Sequence, residues 1–213
     1  MKTTASEPIS HGKFLAIVTV QALAFIVLGL ALWRWTGRSE ADFVRFDLGA
    51  VVLGLSLCAG LLACLLAMYR FLPRFADRLV WLQKDTYKVF AKPFGPLGIV
   101  WISICAGIGE EALIRGGLQT ALLDHLGVVP AIVLSALVFT LLHLAKPLVA
   151  AILFGIGLAF GIAYHLSGSL LAMMIAHVGY DIVAVALLQK RMQQLRVFEP
   201  ESETTPARAL QDG

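Results

Sequence analysis

Long apolar runs constrain this chain more than any other feature of its sequence. The first extends from Phe14 to Leu32, the second from Leu48 to Tyr69, and further runs follow from Pro96 onwards. A helix of about 20 apolar residues is long enough to cross the hydrocarbon core of a bilayer. The chain is 59% hydrophobic and 15% charged, whereas an average soluble domain is roughly 25% charged. We therefore expect an all-α fold, a polytopic membrane helix bundle of about six transmembrane spans.

The spans are predicted to form a single integral membrane domain, residues 14–190, between two polar tails. We expect residues 1–13 to be a surface tail and residues 191–213 to be disordered. The third to sixth spans lie in a core from residue 96 to 190. Within it, Gly116-Gly117 and the stretch 124–130 predict the turn that follows the third span.

Residues 70–95 differ from the spans because they carry six basic residues against two acidic ones, with apolar residues between them. This pattern favours a basic amphipathic helix on the membrane surface, with a solvated loop as the alternative. Six spans place both termini on the same side as this segment, so the positive-inside rule predicts cytoplasmic termini in the cytoplasmic (inner) membrane. Since the basic residues lie in connections between spans, they indicate membrane orientation and no nucleic-acid surface.

Few ionisable side chains lie well within the predicted spans. A charge on a membrane helix costs about 3 kcal/mol or more, so it normally faces other protein or a water-filled cavity. Of the fourteen acidic residues and five histidines, those inside the spans are Glu110, Glu111, His143, His177 and Asp181. We expect these side chains to share one polar site.

Three pairs on three different spans have a spacing of four residues, which places both members on one helix face. They are Glu111 with Arg115, Phe139 with His143, and His177 with Asp181. A buried salt bridge would explain Glu111 and Arg115 as structural, but it leaves Glu110 without a cation of its own. Because an apolar environment makes a carboxylate more basic, Glu110 is the candidate general base.

Two kinds of chemistry fit such a cluster. In the first, a carboxylate takes a proton from a water molecule that attacks an amide, and polar hydrogens stabilise the oxyanion. In the second, histidine and carboxylate ligands bind zinc, which activates the water. The sequence has no His-Glu-x-x-His motif and no cysteine ligand set, so we expect no cofactor and keep zinc as an alternative.

The segments Glu110-Glu-x-x-x-Arg115, Phe139-x-x-x-His143 and His177-x-x-x-Asp181, in this order and within membrane spans, resemble the three motifs of the CPBP family. That family includes the eukaryotic CAAX prenyl endopeptidase and many bacterial proteins, some of them linked to bacteriocin self-immunity. The resemblance covers about residues 96–190. It implies a metal-independent, glutamate-type intramembrane endopeptidase.

The resemblance also implies roles for the motif residues. Glu110, aided by His143, would activate the water, and His177 and Asp181 would occupy the positions that stabilise the oxyanion. Glu111 and Arg115 would hold the geometry of the site, with Phe139 as a packing residue.

The last motif position is Asn or Asp across the family, and this chain has Asp181. An Asn amide donates hydrogen bonds, whereas an ionised Asp cannot. Asp181 therefore either stays protonated or orients His177, and we favour the orienting role.

The predicted partners are a membrane-associated protein or peptide substrate and the lipid bilayer; the sequence does not predict an oligomeric state. Two other functions fit the same features. One is a non-catalytic bacteriocin-immunity or scaffold membrane protein of the same fold. The other is an ion or proton translocator, since Glu, His and Asp side chains within a membrane relay protons.

A simple placement of the spans separates two residues that the proteolytic hypothesis brings together. Counted from Pro96, Glu110 lies about 20 Å along its helix, whereas His143 falls near the cytoplasmic end of the fourth span. Either the third span starts later, or the fourth is tilted so that His143 lies deeper.

Overall fold

A computed structural model describes residues 9–199, which are helical and contain no β-strand. The helices are α1 (His11–Trp35), α2 (Leu48–Phe71), α3 (Pro73–Leu82), α4 (Pro96–Glu111), α5 (Thr120–Leu126), α6 (Val128–Leu142), α7 (Pro147–Ser167) and α8 (Leu170–Gln194). A π-helical segment, Ala112–Gln119, joins α4 and α5, and short 3₁₀ helices cover Glu40–Asp42 and Lys88–Ala91. The predicted polytopic helix bundle is confirmed.

Five of the described helices are long and apolar enough to cross a membrane, namely α1, α2, the continuous helix Pro96–Leu126, α7 and α8. The sixth, α6, has 15 residues, which corresponds to about 22 Å and is shorter than a hydrocarbon core of about 30 Å. The chain is therefore a multi-pass membrane protein in which one apolar helix is too short to span alone.

Local sequence signals explain where the helices begin. The side chains of Ser10, Asp47 and Ser169 accept hydrogen bonds from backbone N–H groups in the first turns of α1, α2 and α8. Proline opens α3, α4 and α7, where its missing N–H costs no helical hydrogen bond. These boundaries agree closely with the apolar runs of the sequence.

The hairpin at Gly127 resolves the conflict over the depth of Glu110 and His143. Gly127 has a φ of 80°, a backbone conformation that favours glycine, and it reverses the chain between α5 and α6. Glu110 and His143 lie at nearly equal chain distances on either side of this turn, so an antiparallel hairpin brings them side by side. Counting from Gly127 instead of Pro96 therefore places His143 level with Glu110, in agreement with the 3.8 Å distance between their side chains.

The predicted turn at Gly116-Gly117 is wrong, because the helix continues through both residues to Leu126. These glycines instead allow close packing against other elements. A Cβ atom added to Gly117 would lie 2.8 Å from the backbone of Gly29 on α1. A Cβ atom on Gly116 would lie 2.6 Å from the ring of Phe43.

The predicted surface helix over residues 70–95 is only partly present. Residues Pro73–Leu82 form α3, and turns and a 3₁₀ helix follow. The side chain of Gln189 on α8 pairs with the backbone of Phe94, accepting from its N–H at 2.8 Å and donating to its carbonyl at 3.1 Å. Because Phe90 and Phe94 are buried, this second half of the segment packs against protein through these rings.

The predicted C-terminal tail begins too early at residue 191. Helix α8 continues to Gln194, and Met192 and Val197 are fully buried in the same apolar cluster as Phe90. Apolar contacts with the segment before α4 thus order the chain beyond the last predicted span. The rest of this tail, residues 200–213, and residues 1–8 of the N-terminal tail lie outside the described residues.

Helix α8 lies centrally and packs against α2 and α4, while α1 packs along α4 and the π-helical segment, and α7 packs against α6. The crossing of α4 and α8 is close because Gly107 faces Val178; a Cβ atom on Gly107 would lie 2.6 Å from a methyl carbon of Val178. This crossing sets Glu111 beside His177.

Candidate active site

Glu111 is the centre of a buried polar cluster. Its Oε1 accepts a hydrogen bond from Arg115 Nη1 at 3.3 Å and contacts Nδ1 of His177 at 2.8 Å. Arg115 also donates to the carbonyl of Gly157 at 3.1 Å. The predicted pair Glu111 and Arg115 is present, and it links the third membrane helix to α7.

Aromatic rings enclose this cluster. The guanidinium carbon of Arg115 lies 5.0 Å from the ring centre of Phe139 and 5.4 Å from that of Phe160. Both rings also contact the ring of His177, at centroid distances of 6.1 and 5.7 Å. Phe139 therefore packs as predicted, and it touches members of all three motifs, including His143.

His177 contacts residues of two motifs, Glu111 of the first and Asp181 of its own. Its Nε2 lies 3.5 Å from Asp181 Oδ2, so the predicted partner on the same helix face is present. Glu111, however, lies closer to the ring, at 2.8 Å from Nδ1. Glu111 is consequently the closer partner of His177, in the orienting role that the sequence predicts for Asp181.

Glu110 and His143 form a second, looser pair. Nε2 of His143 lies 3.8 Å from Oε2 of Glu110, which is longer than a hydrogen bond. Nδ1 of His143 lies 2.8 Å from the carbonyl oxygen of Phe139; because a carbonyl only accepts, Nδ1 carries the hydrogen and Nε2 is an acceptor. Oε2 of Glu110 is buried and has no hydrogen-bond partner among the described residues.

The π-helical segment Ala112–Gln119 was not predicted, and it contains Arg115. Such segments occur frequently at functional sites because the extra residue per turn changes the direction of the side chains. Here Thr120 Oγ1 donates to the carbonyl of Arg115 at 3.0 Å. No sequence signal beyond the pair Gly116-Gly117 marked this departure from α-helical geometry.

A cavity of about 350 Å³ adjoins the cluster. Glu111, His143, His177 and Asp181 line it, whereas Glu110 is not part of the lining and lies 3.8 Å from His143. The rest of the wall is mostly apolar and comes from α2, α3, α7 and α8, including Leu61, Met68, Leu79, Ile152, Ile156 and Leu188. The predicted site residues thus meet at one end of an apolar chamber inside the bundle.

The wall also includes three tyrosines that the sequence analysis did not single out, Tyr69, Tyr87 and Tyr180. No spacing rule identifies such residues from the sequence. The described residues contain no group of three His, Cys, Asp or Glu side chains arranged to hold a metal ion.

Comparison with known proteins connects this site to one family. Residues 92–183 match the profile of a family described as Type II CAAX prenyl endopeptidase Rce1-like. No curated protein and no solved structure is significantly similar to the chain. The matched segment contains all three motifs and every predicted site residue. Residues 92–183 of this multi-pass membrane protein are therefore Rce1-like, similar to the type II CAAX prenyl endopeptidases, in agreement with the CPBP resemblance of its motifs.

Proposed function

We propose that this chain is an intramembrane endopeptidase that hydrolyses a peptide bond in a membrane-associated protein or peptide through a water molecule activated by Glu110. The family is typically proteolytic, which supports protease activity in general. The observation that carries the specific proposal is that Glu110 makes no hydrogen bond to a described residue and lies 3.8 Å from Nε2 of His143, whereas Oε1 of Glu111 is held by Arg115 and His177.

The proposed reaction begins with a water molecule held between Glu110 and His143. A single water can contact two acceptors separated by 3.8 Å, donating one hydrogen to each. Glu110 takes a proton as the water oxygen attacks the carbonyl carbon of the substrate. The same proton then passes to the amide nitrogen when the C–N bond breaks, so Glu110 acts first as base and then as acid.

The surrounding cluster would keep this geometry fixed. Glu111 and Arg115 are both almost fully buried and tie the third membrane helix to α7 and α8. His177 and Asp181 line the cavity at the family positions that act on the oxyanion. This arrangement requires neither a metal nor a cofactor.

The apolar wall of the cavity suits a substrate segment that lies in or on the membrane. The basic residues between 70 and 95 favour a cytoplasmic position for this segment in the cytoplasmic (inner) membrane, and both termini share that side if the short helix α6 crosses the bilayer with the other five. Residues of the same basic segment, including Leu79 and Tyr87, line the cavity, which supports substrate access from the cytoplasmic side of the bilayer.

The proposal is tested by peptide mapping of membrane proteomes from cells that express the wild type, Glu110→Gln or Glu40→Gln. Glu40 is an exposed glutamate far from the site, so Glu40→Gln is the matched control. We expect new peptide termini with the wild type and the control, and a loss of about 10²- to 10⁴-fold with Glu110→Gln, which removes the general base.

Equal cleavage by Glu110→Gln would contradict the proposal. A parallel reaction with a chelator addresses zinc, since a zinc enzyme loses activity when its metal is removed. A protective phenotype that survives both Glu110→Gln and His143→Ala would instead favour the immunity or scaffold function.

A further inference from the structure

Tyr87 lies in the cavity wall together with His143, His177 and Asp181. It belongs to the segment between α3 and α4, outside the three motifs and outside the matched residues 92–183. Its hydroxyl makes no hydrogen bond to any other described residue, and apart from a few polar side chains the wall is apolar. None of the three motifs includes a tyrosine position, so they assign no role to the Tyr87 hydroxyl.

The position of Tyr87 is firmly held. Its ring stacks on Phe90, with centroids 5.3 Å apart and an interplanar angle of 16°. The carbonyl of Phe90 accepts a hydrogen bond from Gln193 at 2.8 Å, and Gln189 pairs with the backbone of Phe94. Both glutamines lie on α8, the helix that carries His177 and Asp181, so Tyr87 and those residues are fixed relative to one another.

The motif side chains that line the cavity offer no free hydrogen-bond donor for proteolysis, so a donor has to come from another part of the wall. The two ring nitrogens of His177 face carboxylates, at 2.8 Å from Glu111 and 3.5 Å from Asp181. Asp181 stands at a position where an Asn amide would donate, and an ionised carboxylate only accepts. Near these motif residues an oxyanion would therefore face carboxylates, which only accept hydrogen bonds, and a histidine whose nitrogens already face those carboxylates.

The phenol of Tyr87 is suited to donate. Burial raises the pKa of Tyr87 well above its usual range, and the negative charges of Asp181 and Glu110 raise it further. The hydroxyl consequently keeps its hydrogen at any physiological pH.

Building on the proposed proteolytic function, we infer that Tyr87 donates a hydrogen bond to the carbonyl oxygen of the scissile peptide bond as that oxygen becomes an oxyanion. The phenol supplies the donor that Asp181 does not. Such a bond strengthens as negative charge develops, so it lowers the barrier more than it tightens substrate binding.

The test uses the purified full chain in lipid nanodiscs and a synthetic peptide that spans a cleavage site found in the proteome mapping. We expect Tyr87→Phe to lower kcat by about 10²-fold with KM changed little, because loss of one oxyanion donor has an effect of this size. Tyr164→Phe is the matched control, since Tyr164 is a buried tyrosine that does not line the cavity and bonds Thr120. We expect it to leave kcat within about twofold of the wild type, as expected for a site outside the reaction.

A second variant separates donation from packing. Phenylalanine keeps the ring that stacks on Phe90, so the melting temperature of Tyr87→Phe should match that of the wild type. Replacement of Tyr87 by 3-fluorotyrosine, a stronger hydrogen-bond donor, should keep or raise kcat.

Several results would overturn the inference. Unchanged kcat in Tyr87→Phe would exclude donation to the oxyanion, and an equal loss in Tyr180→Phe would show that the effect is not specific to Tyr87. A raised KM with unchanged kcat would assign Tyr87 to binding instead. If the wild type cleaves no peptide in a Glu110-dependent way, the proposed function fails and this inference fails with it; a cleaving wild type with an unaffected Tyr87→Phe refutes the inference alone.

Discussion

The two adjacent glutamates of the first motif lie in opposite environments. The side chain of Glu111 is 1% exposed and is held by Arg115 and His177, whereas that of Glu110 is 15% exposed and faces His143 at 3.8 Å. We call Glu111 with Arg115 and His177 the Glu111 pair group, and Glu110 with His143 the Glu110 pair group. Successive residues of a helix project about 100° apart, so neighbours in sequence face different surroundings. Glu111 uses one oxygen, Oε1, to hold both Arg115 and His177, which ties the helices together, whereas Glu110 makes no hydrogen bond to a described residue and remains available for chemistry.

The largest effect should come from breaking the Glu111 pair group. Arg115→Met leaves the Glu111 carboxylate buried without its cation, and we expect the free energy of unfolding to fall by about 3–5 kcal/mol. Denaturant titration in mixed micelles measures this. Arg191→Met, which removes a partly exposed ion pair with Asp77, is the control and should cost about 1 kcal/mol or less.

If Arg115→Met lowered the free energy of unfolding no more than Arg191→Met, the Glu111 pair group would not stabilise the bundle. The double variant Glu111→Gln with Arg115→Met sharpens the test. It removes both charges, and it should recover part of the lost stability.

Breaking the Glu110 pair group should lower the cleavage rate strongly and the free energy of unfolding only slightly. We expect His143→Ala to reduce the cleavage rate by about 10²-fold, because the water loses one of its two anchors. The free energy of unfolding should change by only about 1 kcal/mol, since His143 is part-exposed and makes one side-chain hydrogen bond. Peptide cleavage and denaturant titration on the same preparation give both values.

His165→Ala, at an exposed histidine near the end of α7, is the control and should change neither value. A loss of stability with His143→Ala as large as that of Arg115→Met would erase the distinction between the two groups.

The smallest effect is expected at Asp181, whose carboxylate contacts His177 from the cavity side. Because Glu111 is the closer partner of His177, Asp181→Asn should keep the ring oriented. We expect the cleavage rate to stay within about fivefold of the wild type or to rise, since the amide adds a donor worth about 1 kcal/mol. A loss as large as that of His143→Ala would show that the carboxylate itself is needed.

The sequence predicted most helices closely because each depends on nearby residues. Apolar run length, proline at the first turn and capping side chains act within a few positions, so α1, α2 and α7 were recognisable. The same locality explains why the pairs Glu111 with Arg115 and His177 with Asp181 were predicted, since a spacing of four is a property of one helix.

Predictions failed where contacts join distant parts of the chain. The segment around Phe90 has an amphipathic composition, yet the amide of Gln189 and the apolar residues of α8 bind it to the protein. The contact of Glu111 with His177 likewise depends on the crossing of α4 and α8. No local pattern encodes either arrangement.

The sequence by itself determined that this is a membrane helix bundle with three polar motif pairs, because hydrophobicity and helical periodicity are properties of contiguous residues. Only the tertiary structure decided that Glu111 is hydrogen-bonded to Arg115 and His177 while Glu110 has only the longer contact with His143. The turn at Gly127 sets His143 at the depth of Glu110, and the close crossing at Gly107 brings His177 to Glu111. Partner choice depends on distances across the bundle, and those arise only when all the helices pack.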